Sequence, residues 1–387
     1  RQATWQVLPP DLVERGAYLA RAGHCAGCHT ARGGAEMAGG RPLATPFGTV
    51  VSRNLTPDPS HGLGRWTAAD FARALHEGLR PDGRMLNPVC PYPNFTWVSA
   101  DDAQALWAWL QSLPAAPQAT PPNTLRFPYN TQAALAVWRA LYFRPQRYSA
   151  DTRRSAQWNR GAYLVGGLGH CAACHSQRNA MGATGTPLRL GGGHMPLQDW
   201  YAPALDRADE AGLATWPLAD VVALLKAGAT VRATTLGPMA EVVLGSTQHL
   251  SEPDLLAMAT FLQSLPQASS SRAPTEPAAP AVLQAGAALY EEHCAGCHGK
   301  QGQGAAPAYP PLAGNRALSL DSPHNVVKAV LGGGFAPATA GHPQPYGMPP
   351  FAHVLDDEAV AAVTTYLRQS WGHQAPAVSA QQVQALR

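Results

Sequence analysis

Six of the seven cysteines fall into three copies of one pattern, each closed by a histidine: Cys25-Ala-Gly-Cys28-His29, Cys171-Ala-Ala-Cys174-His175 and Cys294-Ala-Gly-Cys297-His298. Two thiols three positions apart on one helical turn can reach the two vinyl groups of a single porphyrin. The adjacent imidazole then points at the iron as its fixed axial ligand. The pattern therefore reads as covalent attachment of three haem c groups. Cys25, Cys28, Cys171, Cys174, Cys294 and Cys297 are the expected thioether positions, and His29, His175 and His298 the expected proximal iron ligands. Rival chemistries fit less well. A thioredoxin-like redox pair needs no histidine directly after it, and a zinc site needs two further ligands at zinc-type spacing. Three disulfides of so short a span would add little loop-closure stabilisation.

The second axial ligand must come from elsewhere, and methionine is the usual choice in high-potential sites. Gly237-Pro238-Met239 and Gly347-Met348-Pro349-Pro350-Phe351 occupy corresponding places in their repeats, Met239 13 residues before Glu252 and Met348 8 before Asp356. Prolines beside each methionine are expected to hold an extended loop against the porphyrin face. Position within the repeat makes Met239 and Met348 the expected distal ligands, against the plainer role of a core gap-filler. The first copy departs from this. Its loop reads Arg84-Met85-Leu86-Asn87-Pro88-Val89-Cys90-Pro91-Tyr92, with Cys90 11 residues and Met85 16 residues before Asp101. Spacing places Cys90 where the ligand should be. Three options stand: Cys90 ligates, the loop shifts to offer Met85, or the iron is five-coordinate. A thiolate donates more electron density than a thioether and would make this haem the lowest in potential. Cys90 could also serve as a small buried hydrophobe.

The elements that position these groups recur with the motifs. Arg15-Gly16-Ala17-Tyr18-Leu19 precedes the first motif, Arg160-Gly161-Ala162-Tyr163-Leu164 the second, and Gly286-Ala287-Ala288-Leu289-Tyr290 the third. Downstream, Trp109-Leu110-Gln111-Ser112-Leu113-Pro114 matches Phe261-Leu262-Gln263-Ser264-Leu265-Pro266, and the third copy ends in Tyr366-Leu367-Arg368-Gln369-Ser370. Each repeat thus opens with a helix carrying a glycine and closes with a helix carrying an aromatic, the ring filling space over the glycine. Ala103, Leu106, Leu110 and Leu113 show the helical spacing of such a face.

These repeats predict a mostly α fold of three tandem class I cytochrome c-like modules, each wrapping one haem c, with long loops. The expected boundaries are a first module over 1–120, a connecting apolar helical segment over 121–150, and a second module over 151–266. A flexible linker over 267–281, rich in serine and proline, and a third module over 282–387 complete the chain. The apolar stretch from Thr131 to Phe143 is expected to be a helix packed between modules. Its alternative role is a docking face for a partner subunit or a membrane surface.

Composition supports this class and excludes others. The 387 residues include 37 glycines and 36 prolines, about a fifth of the chain, which is loop-rich but below the level that signals disorder. Charged residues make up 14% and the net charge is +3, without the basic balance of a nucleic-acid binder. Each haem brings two propionates, so the loaded protein lies near neutrality, which suits a subunit held in a complex. No apolar run is long enough for a membrane-spanning helix. The chain opens at Arg1 without a signal peptide and reads as a processed, mature protein. Gly191-Gly192-Gly193 and Gly332-Gly333-Gly334 are read as loops near haem edges rather than phosphate cradles, and no Ser-His-Asp or paired-carboxylate constellation is evident.

The chain resembles the triheme cytochrome c subunits of bacterial membrane-associated dehydrogenases: gluconate 2-dehydrogenase, alcohol dehydrogenase and related aldehyde-oxidising complexes. The resemblance covers nearly the whole chain. It rests on Arg15 to His29, Thr45-Pro46-Phe47-Gly48-Thr49 with Asn54-Leu55-Thr56-Pro57-Asp58, Pro91-Tyr92-Pro93, Trp200-Tyr201-Ala202-Pro203, Gly237-Pro238-Met239, and Tyr366 through Trp371-Gly372. In similar proteins the loop before Pro-Tyr-Pro often carries methionine where Cys90 stands. The resemblance implies a periplasmic electron-transfer subunit with no catalytic residues of its own, at the outer face of the cytoplasmic membrane. Its partner would be a catalytic subunit of flavin, quinone-cofactor or molybdenum type, and its acceptor ubiquinone or a terminal oxidase. A second class of function also fits three such haems: a catalytic cytochrome of thiosulfate- or peroxide-handling type, using a haem with unusual ligation at Cys90. Rapid binding of cyanide or carbon monoxide to one haem separates the two.

Overall fold

The structure is a computed structural model that describes residues 9–195, 198–268 and 275–387. The Ser269-Ser270-Ser271 heart of the expected linker and the Arg1 terminus lie outside the described residues. Helix dominates, with little sheet.

Three opening and three closing helices form where the repeats predict them. The opening helices are Pro10–Ala22, Ala156–Gly166 and Pro280–His293, and the closing helices Ala100–Ser112, Glu252–Gln263 and Asp357–Gln369. Their ends are written locally. Proline starts the first and third openers, where its missing N–H costs nothing. Side chains of Ser99, Ser155 and Asp356 accept backbone N–H groups three residues on, as N-caps. The opener crosses its closer at a glycine. A Cβ on Gly16 would lie 2.0 Å from the Ala105 carbonyl oxygen and 2.7 Å from the Trp109 Cβ. One on Gly286 would lie 2.3 Å from the Ala362 carbonyl oxygen and 2.6 Å from the Tyr366 Cβ. The predicted pairing of glycine with aromatic therefore holds for the first and third copies, and any side chain there would force the helices apart.

The chain forms two compact units. The first comprises residues to Ala173 with 178–188 and 249–258. Its core gathers Leu19, Phe71, Phe95, Val98, Leu106, Leu110 and Leu168. A small antiparallel sheet of Pro42–Thr45, Gly48–Val51 and Thr124–Leu125 belongs to it, with Leu43 opposite Val50. The second unit comprises 174–177, 189–248 and 259–387. It buries Tyr290, Val327, Val330, Val360, Val363 and Leu367 together. Two short hairpins lie in it, Gly193–Met195 with Trp200–Ala202 and Gly334–Phe335 with Gly347–Met348. Arg368, fully buried, closes this unit by donating to the carbonyls of Pro376, Asp321 and Ser322.

One expectation is sharpened and another corrected. The Thr131–Phe143 stretch is the expected helix, Gln132–Tyr142, capped by Thr131, and its packed side clusters Trp138 and Phe143 with Tyr92 and Ala183. Trp138 and Phe143 are buried, and the Trp138 indole N–H donates to the Met181 carbonyl at 3.0 Å. Val137 and Leu141 on its other side are 58% and 64% exposed. A helix turns its side chains all round, so an apolar run longer than one stripe cannot be buried from one side. The correction concerns Met239. It stands in the first turn of a helix, Gly237–Gly245, not in an extended loop. Pro238 in that first turn has the fixed φ a helix start wants and loses no hydrogen bond there. Met348 does lie in extended backbone, in the Gly347–Met348 strand. Among the described residues no helix is long and apolar enough to cross a membrane.

Candidate haem-attachment sites

All three motif histidines are held the same way. The His29 Nδ1 lies 2.7 Å from the Arg53 carbonyl oxygen, the His175 Nδ1 2.8 Å from that of Pro203, and the His298 Nδ1 2.9 Å from that of Pro310. A carbonyl can only accept, so Nδ1 carries the proton in each ring and Nε2 presents its lone pair. Burial lowers the pKa of all three imidazoles, with the carbonyl bond opposing it. A neutral ring of fixed tautomer, aimed by a backbone acceptor, is what a metal-ligating histidine requires.

A glycine clamps each of these acceptors. Gly39, Gly192 and Gly304 donate their N–H groups to the carbonyls of His29, His175 and His298 at 2.7, 2.9 and 2.8 Å. Each has a positive φ, 71°, 76° and 66° respectively. A Cβ on them would meet the Arg53 carbonyl carbon at 2.5 Å, the Ala204 nitrogen at 2.7 Å and the Pro310 carbonyl carbon at 2.7 Å. The glycine thus lies directly against the peptide whose oxygen holds the imidazole. Neither its left-handed conformation nor its contact tolerates a side chain. The motifs alone do not point to these glycines or acceptors. The acceptors stand 24, 28 and 12 residues beyond their histidines, so no fixed spacing betrays them.

The thiols match this donor set. None of the seven cysteines is in a disulfide. Burial, reinforced by the neighbouring thiols, pushes Cys25 up to about 12 and Cys294 up to about 11, so both are protonated at neutral pH. A neutral thiol and a neutral imidazole in an apolar setting fit haem c, which needs two S–H groups for its vinyls and one Nε2 for its iron.

The expected distal residues fall into place unequally. Met348 packs on the same apolar cluster as Cys294, and Gly333 lets its strand approach, since a Cβ there would lie 2.2 Å from the Met348 carbonyl oxygen. Met239 and His175 are linked through Trp200-Tyr201-Ala202-Pro203. The Trp200 indole lies over Gly237, 2.5 Å from where a Cβ would be, while Pro203 anchors the His175 ring. Cys90 shares the first unit's cluster with Cys25, and burial together with the nearby Cys28 thiol pushes it up to about 12. Met85 is held elsewhere. It bridges Leu79, its N–H donates to the Gln132 Oε1 at 2.7 Å, and its carbonyl accepts from Gln132. The two triple glycines are hairpin and helix-end residues beside these groups: Gly192 and Gly193 at His175 and Ser176, Gly333 at Met348.

The cytochrome c family matches residues 13–114 and 283–371, stretches that contain the first and third motifs. The chain is 38% identical over 394 residues to "Alcohol dehydrogenase (quinone), cytochrome c subunit" of Gluconobacter oxydans, covering 97% of this chain and 82% of that protein. It is 35% identical to "Gluconate 2-dehydrogenase cytochrome c subunit" of Pantoea cypripedii, covering 97% and 89%. It is also 33% identical over 403 residues to "Fructose dehydrogenase cytochrome subunit" of Gluconobacter japonicus, covering 97% of this chain and 82% of that protein. A thiosulfate dehydrogenase structure from Marichromatium purpuratum, 20% identical over 95% of this chain and 72% of that one, superposes with a TM-score of 0.20, too low to speak for a shared fold or activity.

Proposed function

Since the chain belongs to the family of cytochrome c subunits of alcohol and gluconate 2-dehydrogenases, we propose that it carries electrons from a periplasmic dehydrogenase catalytic subunit to ubiquinone or the respiratory chain. The observation that carries the reading is the threefold repetition of one ligand geometry: His29, His175 and His298, each with Nδ1 bonded to a backbone carbonyl and clamped by a positive-φ glycine. That repetition supports three haem c groups in three tandem modules, over 1–120, 151–266 and 282–387, with 121–150 and 267–281 as connections.

When bound, haem supplies a one-electron iron couple. The chain's own residues prepare its setting. The six motif thiols fix the group covalently, and the three imidazoles offer a neutral Nε2 in a fixed direction, so little rearranges on a change of charge. Leu19, Phe95 and Leu106 in the first unit, and Val327, Val363 and Leu367 in the second, exclude water beside the attachment loops. We assign Met239 and Met348 as the distal ligands. Cys90 is the distal ligand of the first site in preference to Met85, supported by its place beside Cys25 and Cys28. The partner is a dehydrogenase subunit of flavin, quinone-cofactor or molybdenum type oxidising an alcohol, sugar acid or aldehyde. The complex lies at the outer face of the cytoplasmic membrane.

Purification from source membranes in mild detergent tests this directly. Three haems per chain with a stoichiometric partner bearing an organic or molybdenum cofactor is the expected result. A lone chain in which one haem binds carbon monoxide rapidly overturns it in favour of a catalytic cytochrome.

A further inference from the structure

The first two repeats exchange hydrogen bonds in a reciprocal pattern. Each opening helix carries Arg-Gly-Ala-Tyr-Leu, and each closing helix starts with a serine followed three residues later by an aspartate: Ser99 with Asp102, Ser251 with Asp254. The arginines stay at home. Arg15 donates to Asp102 at 2.5 Å, and Arg160 donates twice to Asp254 at 2.8 Å. The tyrosines cross over. Tyr18 of the first repeat donates to Asp254 of the second at 2.6 Å, and Tyr163 of the second donates to Asp102 of the first at 2.6 Å. Each tyrosine oxygen in turn accepts the backbone N–H of the opposite serine, Ser251 to Tyr18 at 3.2 Å and Ser99 to Tyr163 at 3.0 Å. All of these residues belong to the first compact unit.

The attachment loops that follow the two opening helices meet as well. Leu168, 1% exposed, leaves the second repeat to pack with Leu19, Ala20 and Cys25 of the first. A Cβ on Gly23 would lie 3.2 Å from the Cys25 Sγ and 3.4 Å from the Leu168 Cδ2. The His170 ring stands edge-on to Phe95 with centroids 5.7 Å apart. His24 and His170, each one residue ahead of its motif, both take a left-handed φ, 50° and 37°.

We infer that the crossed Tyr18–Asp254 and Tyr163–Asp102 bonds are a clamp that sets the separation of the first two attachment loops where they begin, at Cys25 and Cys171. Tyr18 and Tyr163 are positioning residues in this account, since neither reaches the motif itself. The clamp stands on the geometry, and only its consequence for the haems rests on the function proposed above. Two bonds arranged reciprocally oppose sliding and rotation together, because any shift that shortens one lengthens the other. Each buried carboxylate also keeps full hydrogen-bond satisfaction only while the repeats stay in register.

The test is the holoprotein with Tyr18→Phe and Tyr163→Phe, singly and together, which keeps both rings and removes only the crossed donors. Amide hydrogen exchange at Ser99 and Ser251 is expected to quicken at least tenfold in the double variant. The dipolar interaction between the first two ferric haems, read by pulsed electron paramagnetic resonance, is expected to weaken and spread, while each haem keeps its own g values. Tyr346→Phe, at an exposed site, should change neither reading. Unchanged exchange together with an unchanged dipolar interaction overturns the clamp. Should the double variant not fold, each single variant carries the same test at the serine its tyrosine faces. A haem count below two over the first two motifs would sink the proposed function, while the exchange measurement would still decide the clamp.

Discussion

The Tyr163 hydroxyl donates to Asp102 at 2.6 Å across two repeats, and the same atom accepts the Ser99 N–H that begins the Asp102 helix. One side chain therefore both caps a helix of the neighbouring repeat and satisfies a carboxylate that is 2% exposed. Arg15 supplies the compensating charge from within the first repeat. A buried carboxylate with only one of these partners would be costly, so the pair of repeats is stabilised as a unit.

The first prediction follows from the same tyrosine. Burial, and then the bond to Asp102, pushes the Tyr163 hydroxyl up from 10.0 to about 12. A folded pKa above the unfolded one means stability fully present below pH 10 and lost as pH rises through 12. The difference corresponds to about 3 kcal/mol at most. Urea unfolding at stepped pH should show Tyr163→Phe weaker than the parent at pH 8, with the gap closing between pH 10 and 12. A gap that stays constant across that range would mean Tyr163 ionises as freely folded as unfolded.

Asp254 gives the opposite slope. Burial raises its pKa, but the Arg160 guanidinium and the Tyr18 hydroxyl outweigh this and hold it below 3.8. Its contribution is present above pH 3.8 and is lost as pH falls through the folded value. Asp254→Asn should therefore be destabilised at pH 7, by about 1–3 kcal/mol for a lost charged hydrogen-bond set. The deficit should shrink below pH 4, measured as the shift in unfolding midpoint.

These relationships explain what the sequence could and could not say. The attachment motifs and the glycine-to-aromatic helix crossings were legible because their chemistry sits within a few residues, at fixed spacing. Gly16 and Trp109 meet as the repeats predict. The clamp at Gly39, Gly192 and Gly304 was not, because loops of different length carry the chain from histidine to acceptor. Nor was the tyrosine exchange. Matching Arg-Gly-Ala-Tyr-Leu segments announce two equivalent tyrosines, but nothing local says that each bonds the other copy's aspartate. Proline beside Met239 suggests an extended loop, whereas proline in a first helical turn is equally at ease.

The glycine clamp predicts a graded loss. Gly192→Ala puts a side chain at φ 76°, 2.7 Å from the Ala204 nitrogen and 2.8 Å from the Tyr201 hydroxyl oxygen. Left-handed strain alone costs about 1–3 kcal/mol. The variant should lose several degrees of thermal stability and tilt the His175 ring away from Pro203. The absorption of one haem should then shift toward high spin. Gly33→Ala, at φ 73° with open space around it, is the control: strain without the contact, and no spectral change.

Cys90 carries the last prediction. Its thiol packs with Cys25 on one apolar cluster, near the Cys28 thiol, where burial disfavours a free thiolate. Iron coordination would overcome that, since a metal deprotonates a coordinating thiol outright. A thiolate ligand lowers an iron potential relative to a thioether, within the roughly 0.8 V that axial ligands span. Cys90→Met should therefore raise one midpoint in a spectroelectrochemical titration and leave the others unmoved, while Met85→Leu should change none. If Met85→Leu alone shifts a midpoint, the loop must swing away from Leu79 and Gln132 to deliver the thioether, and Cys90 is a packing residue. If neither does, the first iron takes no protein ligand on that face, and added carbon monoxide should find it.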